Sequence, residues 1–273
     1  MAKKKSKPEK GSYREVIGEI DLLDFAREHY SRYGRSVLED RAFPDFRDGM
    51  NPVNRRTLWS AYSLGIRSNS KFVKSARIVG DVLGRYHPHG DASVYGAMVK
   101  MTNVNGVVSN IPIGLFEGEG NWGSLSNSAA AAMRYTEARL SKFSDEVLFN
   151  KFYMPVVRMI PNFDSSTVEP LILPALLPLV LLNGRFGIAP GATTNIPKLE
   201  PDGVFDVLRA AFKGEELTPK FLAKTLRLTS TFGGAEDESK ENMRSESRRE
   251  IFTSVRGSTN IVSPYEYDEK KRT

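Results

Sequence analysis

The sequence predicts an α+β protein in which a helix-turn-helix segment is followed by strand-rich sequence. Three observations lead there. Apolar residues recur at helical spacing in two adjacent stretches, Leu58, Ala61, Tyr62 and Gly65, then Phe72, Ala76, Val79 and Leu83. Residues 104–125 (VNGVVSNIPIGLFEGEGNWGSL) have the glycine-punctuated texture of short strands and turns. From about residue 165 the chain turns to apolar strands and turns, with a helix near 203–213.

In chain order, residues 1–12 form a basic polar tail and 13–37 an amphipathic helical segment. The stretch RAFPDFRDGMNPVNRR follows, a loop punctuated by Pro44, Gly49 and Pro52. Of the two helices after it, the second carries Lys74 and Arg77 opposite its apolar face, with Lys71 and Arg85 at its ends. A Gly-containing turn before a basic second helix fits a helix-turn-helix, although plain helical packing gives the same apolar pattern. Residues 104–125 then supply a wing or hairpin. A helix containing Tyr135 is expected next, ending near residue 150, with Met133, Leu140 and Val147 on its core face. The run LILPALLPLVLL (171–182) contains Pro174 and Pro178 and falls short of the roughly 20 residues of a membrane span, so buried core strands are expected. Residues 233–250 are charge-dense and read as an exposed loop, followed by strand-like alternation to the end. No internal repeat is visible.

Composition narrows the function. The 273 residues are long enough for a sizeable core, and 40% hydrophobic with 26% charged residues is ordinary for a soluble globular protein. With no cysteine, disulfides, thiol catalysis and Cys-ligated zinc are excluded, which fits a reducing, cytoplasmic setting. MAKKKSKPEKGSYRE is not followed by the apolar core of a secretory leader. Net charge is +6, and residues 41–100 hold ten Lys or Arg against four Asp or Glu. A second cluster, Lys3, Lys4, Lys5, Lys7 and Lys10, faces only Glu9. Such clustering suggests a polyanion, most often nucleic acid, although a charge run is commonly only a solvated face.

The densest chemistry lies in AAAMRYTEARL (130–140). On a helix, Tyr135, Arg139 and Lys142 would share a face, with Arg134 adjacent. A phenol of pKa about 10 is a poor nucleophile at neutral pH, and neighbouring cations favour the phenolate and the charge that builds up during attack on phosphorus. A tyrosine in such a pattern more often simply packs or hydrogen-bonds, and spacing does not choose among the ten tyrosines. His87 and His89 in YHPHGD follow the basic helix. Alternate histidines ligate zinc in some proteins, but phosphate or tyrosine-pocket hydrogen bonding fits better where a third ligand would have to be a carboxylate such as Asp91. Gly118, Gly120 and Gly123 match G-x-G-x-x-G, yet Glu117 and Glu119 would repel a pyrophosphate. No Walker A sequence is encoded, and no compact acidic cluster of the kind that holds catalytic Mg²⁺.

Together RAFPDFRDGMNPVNRR, KSARIVGDVLGRYHPHGDASVYGAMVKM, GEGNWGS, AAAMRYTEARL and NGRFGIAPGATTNIP, spanning about 41–197, closely resemble the breakage-reunion subunit of type IIA DNA topoisomerases, the gyrase A and topoisomerase IV A family. The resemblance implies a basic tail and arm helix over 1–32, a winged-helix DNA-cleavage domain over 33–168 and an incomplete α/β tower domain over 169–273. It implies that Tyr135 attacks a phosphodiester to form a transient 5′-phosphotyrosine and that Arg134 stabilises the transition state. Arg41, His87 and His89 would line the same pocket. Arg55, Arg56, Lys74 and Arg77 would hold DNA, and Ile188 would wedge into the base stack. The chain itself would hold no metal. Mg²⁺ and ATP would sit on a gyrase B-like partner, and two copies of this chain would cut opposite strands of one duplex.

The sequence also departs from the family pattern. Asn51 and Asn54 stand where relatives usually carry lysine and histidine. Ala92 and Gly96 replace the hydroxyl and acidic residues through which bacterial relatives anchor quinolones, so weak fluoroquinolone poisoning is expected. The resemblance places residue 273 inside the tower, as in one piece of a split or shortened subunit with a separate C-terminal piece. A phage-type enzyme acting in the host cytoplasm is the expectation. The alternatives are a non-catalytic winged-helix DNA-binding protein, for which Arg134, Tyr135, His87, His89 and Ile188 would be unnecessary, and a tyrosine recombinase or relaxase, whose catalytic sets this chain does not supply.

Overall fold

In the computed structural model, α1 (Leu22–Val37) opens on Asp21, whose carboxylate accepts from the backbone N–H groups of Leu23 and Asp24 at 2.9 and 3.1 Å, a helix cap. The structure describes residues 21–103, 113–123, 129–228, 236–237, 251–254 and 261–262; the basic tail and nearly all of 233–250 lie outside them. A π-helical turn, Leu38–Ala42, continues α1 and delivers Arg41.

Asn51 and Pro52 start α2 (Pro52–Ser63): the Asn51 side chain accepts from the Asn54 N–H at 3.3 Å, and proline occupies the first helical position, where no donor is missed. The helix closes as Gly65 and Ile66 donate to the carbonyls of Tyr62 and Ala61 at 3.0 and 2.9 Å, which stops it before Gly65. Leu58 and Ala61 are fully buried, as their spacing implies. After β1 (Val73–Lys74) comes α3 (Ser75–Arg85), whose buried face is Ser75, Ile78, Val79 and Val82. Helical spacing had pointed to Phe72, Ala76, Val79 and Leu83 for that face, of which Val79 is buried. Phe72 instead precedes the helix, and the stripe is rotated by about one residue.

Helix α4 (Asp91–Met101) runs into β2 (Thr102–Asn103), followed by β3 (Phe116–Glu119) and β4 (Glu137–Leu140). The sheet order is β1-β4-β3-β2, antiparallel except for the β2–β3 pair. Ala138 and Leu140 face the helices and are fully buried. The expected helix over 130–150 is therefore a strand followed by the short α5 (Lys142–Val147), which Ser141 caps by accepting from the Ser144 N–H at 3.1 Å. The seven-residue periodicity of Met133, Leu140 and Val147 misled because period-2 alternation in so short a strand leaves little signal.

A hairpin, β5 (Met159–Pro161) and β6 (Val168–Pro170), packs beside α2, with Trp59 Nε1 donating to the Val168 carbonyl at 3.3 Å. Its turn residue Asn162 donates through Nδ2 to the Arg85 carbonyl at 2.6 Å, capping the end of α3. Residues 171–178 form no strand. Pro174 and Pro178 break the run, and only α6 (Leu179–Asn183) is regular, with Leu173, Leu179 and Leu182 buried. No helix among the described residues is long and apolar enough to cross a membrane. The hairpin β7 (Arg185–Ala189) and β8 (Ala192–Ile196) leads to α7 (Pro201–Phe212) and α8 (Pro219–Thr225), and a two-residue antiparallel pairing joins β9 (Glu236–Asp237) to β10 (Ile261–Val262). The result is α+β.

One buried carboxylate ties these parts together. Asp48 is fully buried and accepts from Arg55 Nε and Nη2 at 2.6 and 3.1 Å, and from the backbone N–H groups of Met50 and Leu173 at 2.9 and 3.0 Å. Arg185 donates through Nε to the Gly49 carbonyl at 3.0 Å, and burial pushes its guanidinium down to about 10 while the charge of Asp48 opposes the shift. Gly49 has φ +70° and lies where a Cβ would come within 2.6 Å of the Val180 nitrogen, so the loop can press onto α6 only as glycine. Removing one partner of a buried charge pair costs about 3–5 kcal/mol because the other is left uncompensated. Asp48→Ala is expected to lower the stability of the whole chain by that amount, read as a shifted urea midpoint. A change of a few tenths of a kcal/mol would assign the network no structural weight.

Candidate active site

Tyr135 stands in a turn over 133–135, one residue ahead of β4, and is 63% exposed. This corrects the helical placement and removes the face it was expected to share with Arg139 and Lys142. Arg139 instead pairs with Glu117 at 2.8 Å and lies over the Phe72 ring at 4.2 Å. The exposed Lys142 pairs with Glu146 at 3.8 Å.

The turn is seated on the N-terminus of α3. Ser75 and Ala76 donate their backbone N–H groups to the carbonyls of Thr136 and Met133 at 3.0 and 3.2 Å, so the turn satisfies donors that have no partner inside the helix. Side chains reinforce the seat. Tyr95 on α4 donates its hydroxyl to the Ala131 carbonyl at 2.6 Å and meets Thr136 Oγ1 at 2.8 Å, and Thr136 Oγ1 meets Ser75 Oγ at 2.8 Å. Because Tyr95 uses its one proton on Ala131, Thr136 donates to Tyr95 and Ser75 donates to Thr136. Burial raises the Tyr95 phenol above its ordinary value, against the opposing Thr136 hydrogen bond, which keeps it a donor. On this fixed base Arg134, also exposed, sets its guanidinium carbon 4.7 Å from the Tyr135 ring centroid, within cation–π range.

The second group gathers at the other end of α3. His87 is 9% exposed, and its Nδ1 lies 3.0 Å from Arg56 Nη1. Guanidinium only donates, so Nδ1 is the acceptor and the ring's proton sits on Nε2. Burial first, then the charges of His89, Arg56 and Arg41, push His87 down to about 4. The exposed His89 stacks on His87, with ring centroids 4.2 Å apart. Arg41 is exposed, and its carbonyl accepts from Asn51 Nδ2 at 3.2 Å.

The five expected catalytic residues therefore form two groups, Arg134 with Tyr135 and Arg41 with His87 and His89. Among the described residues no hydrogen bond, ion pair or ring contact joins them. They sit at opposite ends of α3, whose 11 residues span about 16 Å.

The residues assigned to DNA also divide. Arg55 is held inside by Asp48 and by the Met50 carbonyl at 3.0 Å. Arg56 grips the buried Glu169 in bidentate fashion, with Nε and Nη2 each 2.8 Å from a carboxylate oxygen, and orients His87. Lys74 pairs with Glu137 at 2.8 Å but stays half-exposed, Arg77 is exposed on the outer side of α3, and Ile188 is 65% exposed on β7. Asp48, Glu169, Tyr95, Thr136 and Arg185 escaped the sequence reading. Arg56 and Glu169 lie 113 residues apart, and no local pattern links them. The roles of Asn51 and Asn54 are structural. The former caps α2, and the latter turns its carbonyl to Arg185, accepting from Nη1 and Nη2 at 2.8 and 2.6 Å. An Asn-Pro step at a helix start was a legible signal for the cap. Of the glycines of GEGNWGS, Gly118 answers to packing, since a Cβ there would come within 2.5 Å of Trp122 Nε1, and Gly120 and Gly123 to positive φ of 96° and 94°.

Known proteins resemble this sequence over most of its length. The family model for the A subunit of DNA gyrase/topoisomerase IV matches residues 41–273. The DNA topoisomerase 4 A subunit of Staphylococcus epidermidis is 44% identical over 201 residues, 73% of this chain and 24% of the relative. The DNA gyrase A subunit of Dehalogenimonas lykanthroporepellens is 48% identical over 185 residues, covering 67% and 22%. That of Brachyspira hyodysenteriae is 41% identical over 220 residues, covering 77% and 25%. The chain thus spans about a quarter of the length of these curated relatives.

The fold favours neutral His87 and the unfolded chain does not, so the unfolded state binds more protons between about pH 4 and 6.5. The stability contributed by His87 is complete above about 6.5 and is lost as pH falls toward about 4. An imidazole NMR titration is expected to find His87 neutral at about pH 5.5, where a free histidine is mostly protonated. A midpoint near 6.5 would contradict the Arg56–His87 arrangement.

Proposed function

Because the chain belongs to the DNA gyrase and topoisomerase IV A-subunit family, we propose that it is a DNA-cleaving piece of an ATP-dependent type II topoisomerase in which Tyr135 is the nucleophile. The observation that carries this is the exposed Arg134–Tyr135 pair on a turn that buried hydroxyls and the start of α3 hold rigid. In the step, Tyr135 Oη forms a bond to phosphorus, the P–O3′ bond breaks, the phenolic proton departs and the 3′ oxygen gains one. The number of P–O bonds is unchanged, so religation needs no external energy. Arg134 stabilises the charge on the phosphoryl oxygens.

Under this reading α2, α3 and the β1–β4 sheet form the winged-helix cleavage domain of residues 33–168, after an arm over 1–32, and residues from 169 belong to the tower. Lys74, Arg77 and Ile188 meet the duplex. Arg55 is structural, and Arg56 positions His87. The separation of Tyr135 from Arg41, His87 and His89 favours a dimer in which DNA spans both copies. Among the described residues no group of three or more His, Asp or Glu could hold a metal ion. We assign Mg²⁺ and ATP to a gyrase B-like partner, on resemblance alone, and the assembly to the cytoplasm.

The test is detergent-trapped cleavage of supercoiled plasmid by the chain with such a partner and Mg²⁺. Linear, protein-linked DNA is expected from wild type and none from Tyr135→Phe. Equal cleavage by both would remove Tyr135 from the chemistry, and binding without cleavage by either would leave a DNA-binding scaffold. In the same assay a fluoroquinolone is expected to raise wild-type cleavage little, and Ala92→Ser with Gly96→Asp to restore poisoning. A Cβ at Gly96 meets nothing within 4 Å, so the acidic side chain fits. Strong poisoning of the wild type would refute the expectation.

A further inference from the structure

We propose that Tyr95 is a positioning residue for Tyr135: its hydroxyl ties together the two flanks of the turn that carries Arg134 and Tyr135, and so sets the direction in which the phenol leaves the protein. This deepens the proposed function, and it rests on Tyr135 being the nucleophile.

The turn covers 133–135, and a single hydroxyl reaches both sides of it. On the entering side Tyr95 donates to the Ala131 carbonyl at 2.6 Å, and on the leaving side it meets Thr136 Oγ1 at 2.8 Å. The Tyr95 ring is itself braced. It tilts against the buried Trp122 with centroids 5.9 Å apart, and Trp122 Nε1 donates to the Glu119 carbonyl at 3.0 Å. Val94 and Met98, fully buried, hold α4 in the core on either side of Tyr95. The entering flank is also fixed to the same loop, since the Ala131 N–H donates to the Asn121 carbonyl at 2.9 Å.

Two observations favour positioning over packing alone. Thr136 and Ser75 bury their hydroxyls completely, and a buried hydroxyl is tolerated only when it is hydrogen-bonded. The strand does not require such a chain, because Ala138 and Leu140 already seat β4 in the core. The chain of hydroxyls instead ends one residue from the mostly exposed Tyr135. The second observation is where Tyr95 comes from. Helix α4 begins at Asp91, two residues after His89. It leaves the His87 end of α3 and brings Tyr95 back to the turn seated on the start of α3. One helix thereby sets the register of Tyr135 against the two histidines within a single chain.

The experiment uses the full chain with its gyrase B-like partner and Mg²⁺. Single-turnover cleavage of an end-labelled duplex at saturating DNA is compared with DNA affinity from fluorescence anisotropy. Tyr95→Phe keeps the ring against Trp122 and loses only the hydroxyl. It is expected to slow cleavage by on the order of tenfold to a hundredfold, the effect of a reacting group displaced by a fraction of an ångström to one ångström, with the dissociation constant unchanged. Thr136→Val should slow cleavage likewise, and Thr136→Ser, which keeps a hydroxyl, should recover most of the rate. The double variant Tyr95→Phe/Thr136→Val should fall no further than either single one, as residues of one hydrogen-bonded chain do. Thr218→Ala removes the cap of α8, serves as the control for stability lost elsewhere, and should cleave as wild type does. If Tyr95→Phe cleaves at the wild-type rate while Tyr135→Phe is inactive, the proposal fails and the proposed function stands. If affinity falls in step with rate, or Thr218→Ala loses as much, Tyr95 only supports the fold and the proposal is overturned. If Tyr135→Phe cleaves as wild type does, there is no nucleophile at this turn to position and both fall.

Discussion

The architecture depends on a negative charge kept out of water. Asp48 is satisfied by one arginine of α2 and by backbone donors from its own loop and from the chain entering α6. A buried carboxylate is tolerated only with such saturation. Its saturation fixes three things at once: the loop before α2, the angle at which α2 meets 171–173, and the seat of Arg185 at the root of β7. Arg41, the His87 support and the exposed hairpin all take their positions from that junction.

Helix α3 then acts as a spacer. Its start receives the Tyr135 turn, and its end hands the chain to His87 through a terminus that Asn162 caps from a different hairpin. Nothing at the Tyr135 end needs to move to bring its phenol into the open, because Thr136, the next residue, takes all the burial. Exposure and rigidity come from adjacent positions of one short segment. Preorganisation of this kind is what a phosphoryl-transfer site requires, since the protein contributes mainly position and charge.

Part of this was legible in the chain. Helical spacing found α2 and α3 because their buried stripes persist for three turns, and Asn51-Pro52 marks the start of α2 by simple capping chemistry. The identity of the Tyr135 segment was legible and its conformation was not. Four strand residues give too little alternation to outweigh an apparent seven-residue repeat, and the pairing of β4 with β1 and β3 is non-local. The arginines show the limit most clearly. Arg55 and Arg56 look alike in sequence, adjacent and basic, yet one is buried on Asp48 and the other bridges Glu169 and His87. Which carboxylate meets which cation is decided by the tertiary fold.

That internal pairing has a consequence for how the surface meets a polyanion. Within 41–100 the positive charges of Arg47, Arg55, Arg56, Arg67, Lys74 and Arg85 each face a carboxylate. Neutral His87 adds a hydrogen-bond donor and no charge. Binding to nucleic acid draws its entropy from counterions released by the phosphates that protein cations neutralise. Cations already neutralised at home release few, so the ionic-strength dependence of complex formation follows the exposed remainder, such as Arg41 and Arg77, and is shallower than the net charge of this region implies.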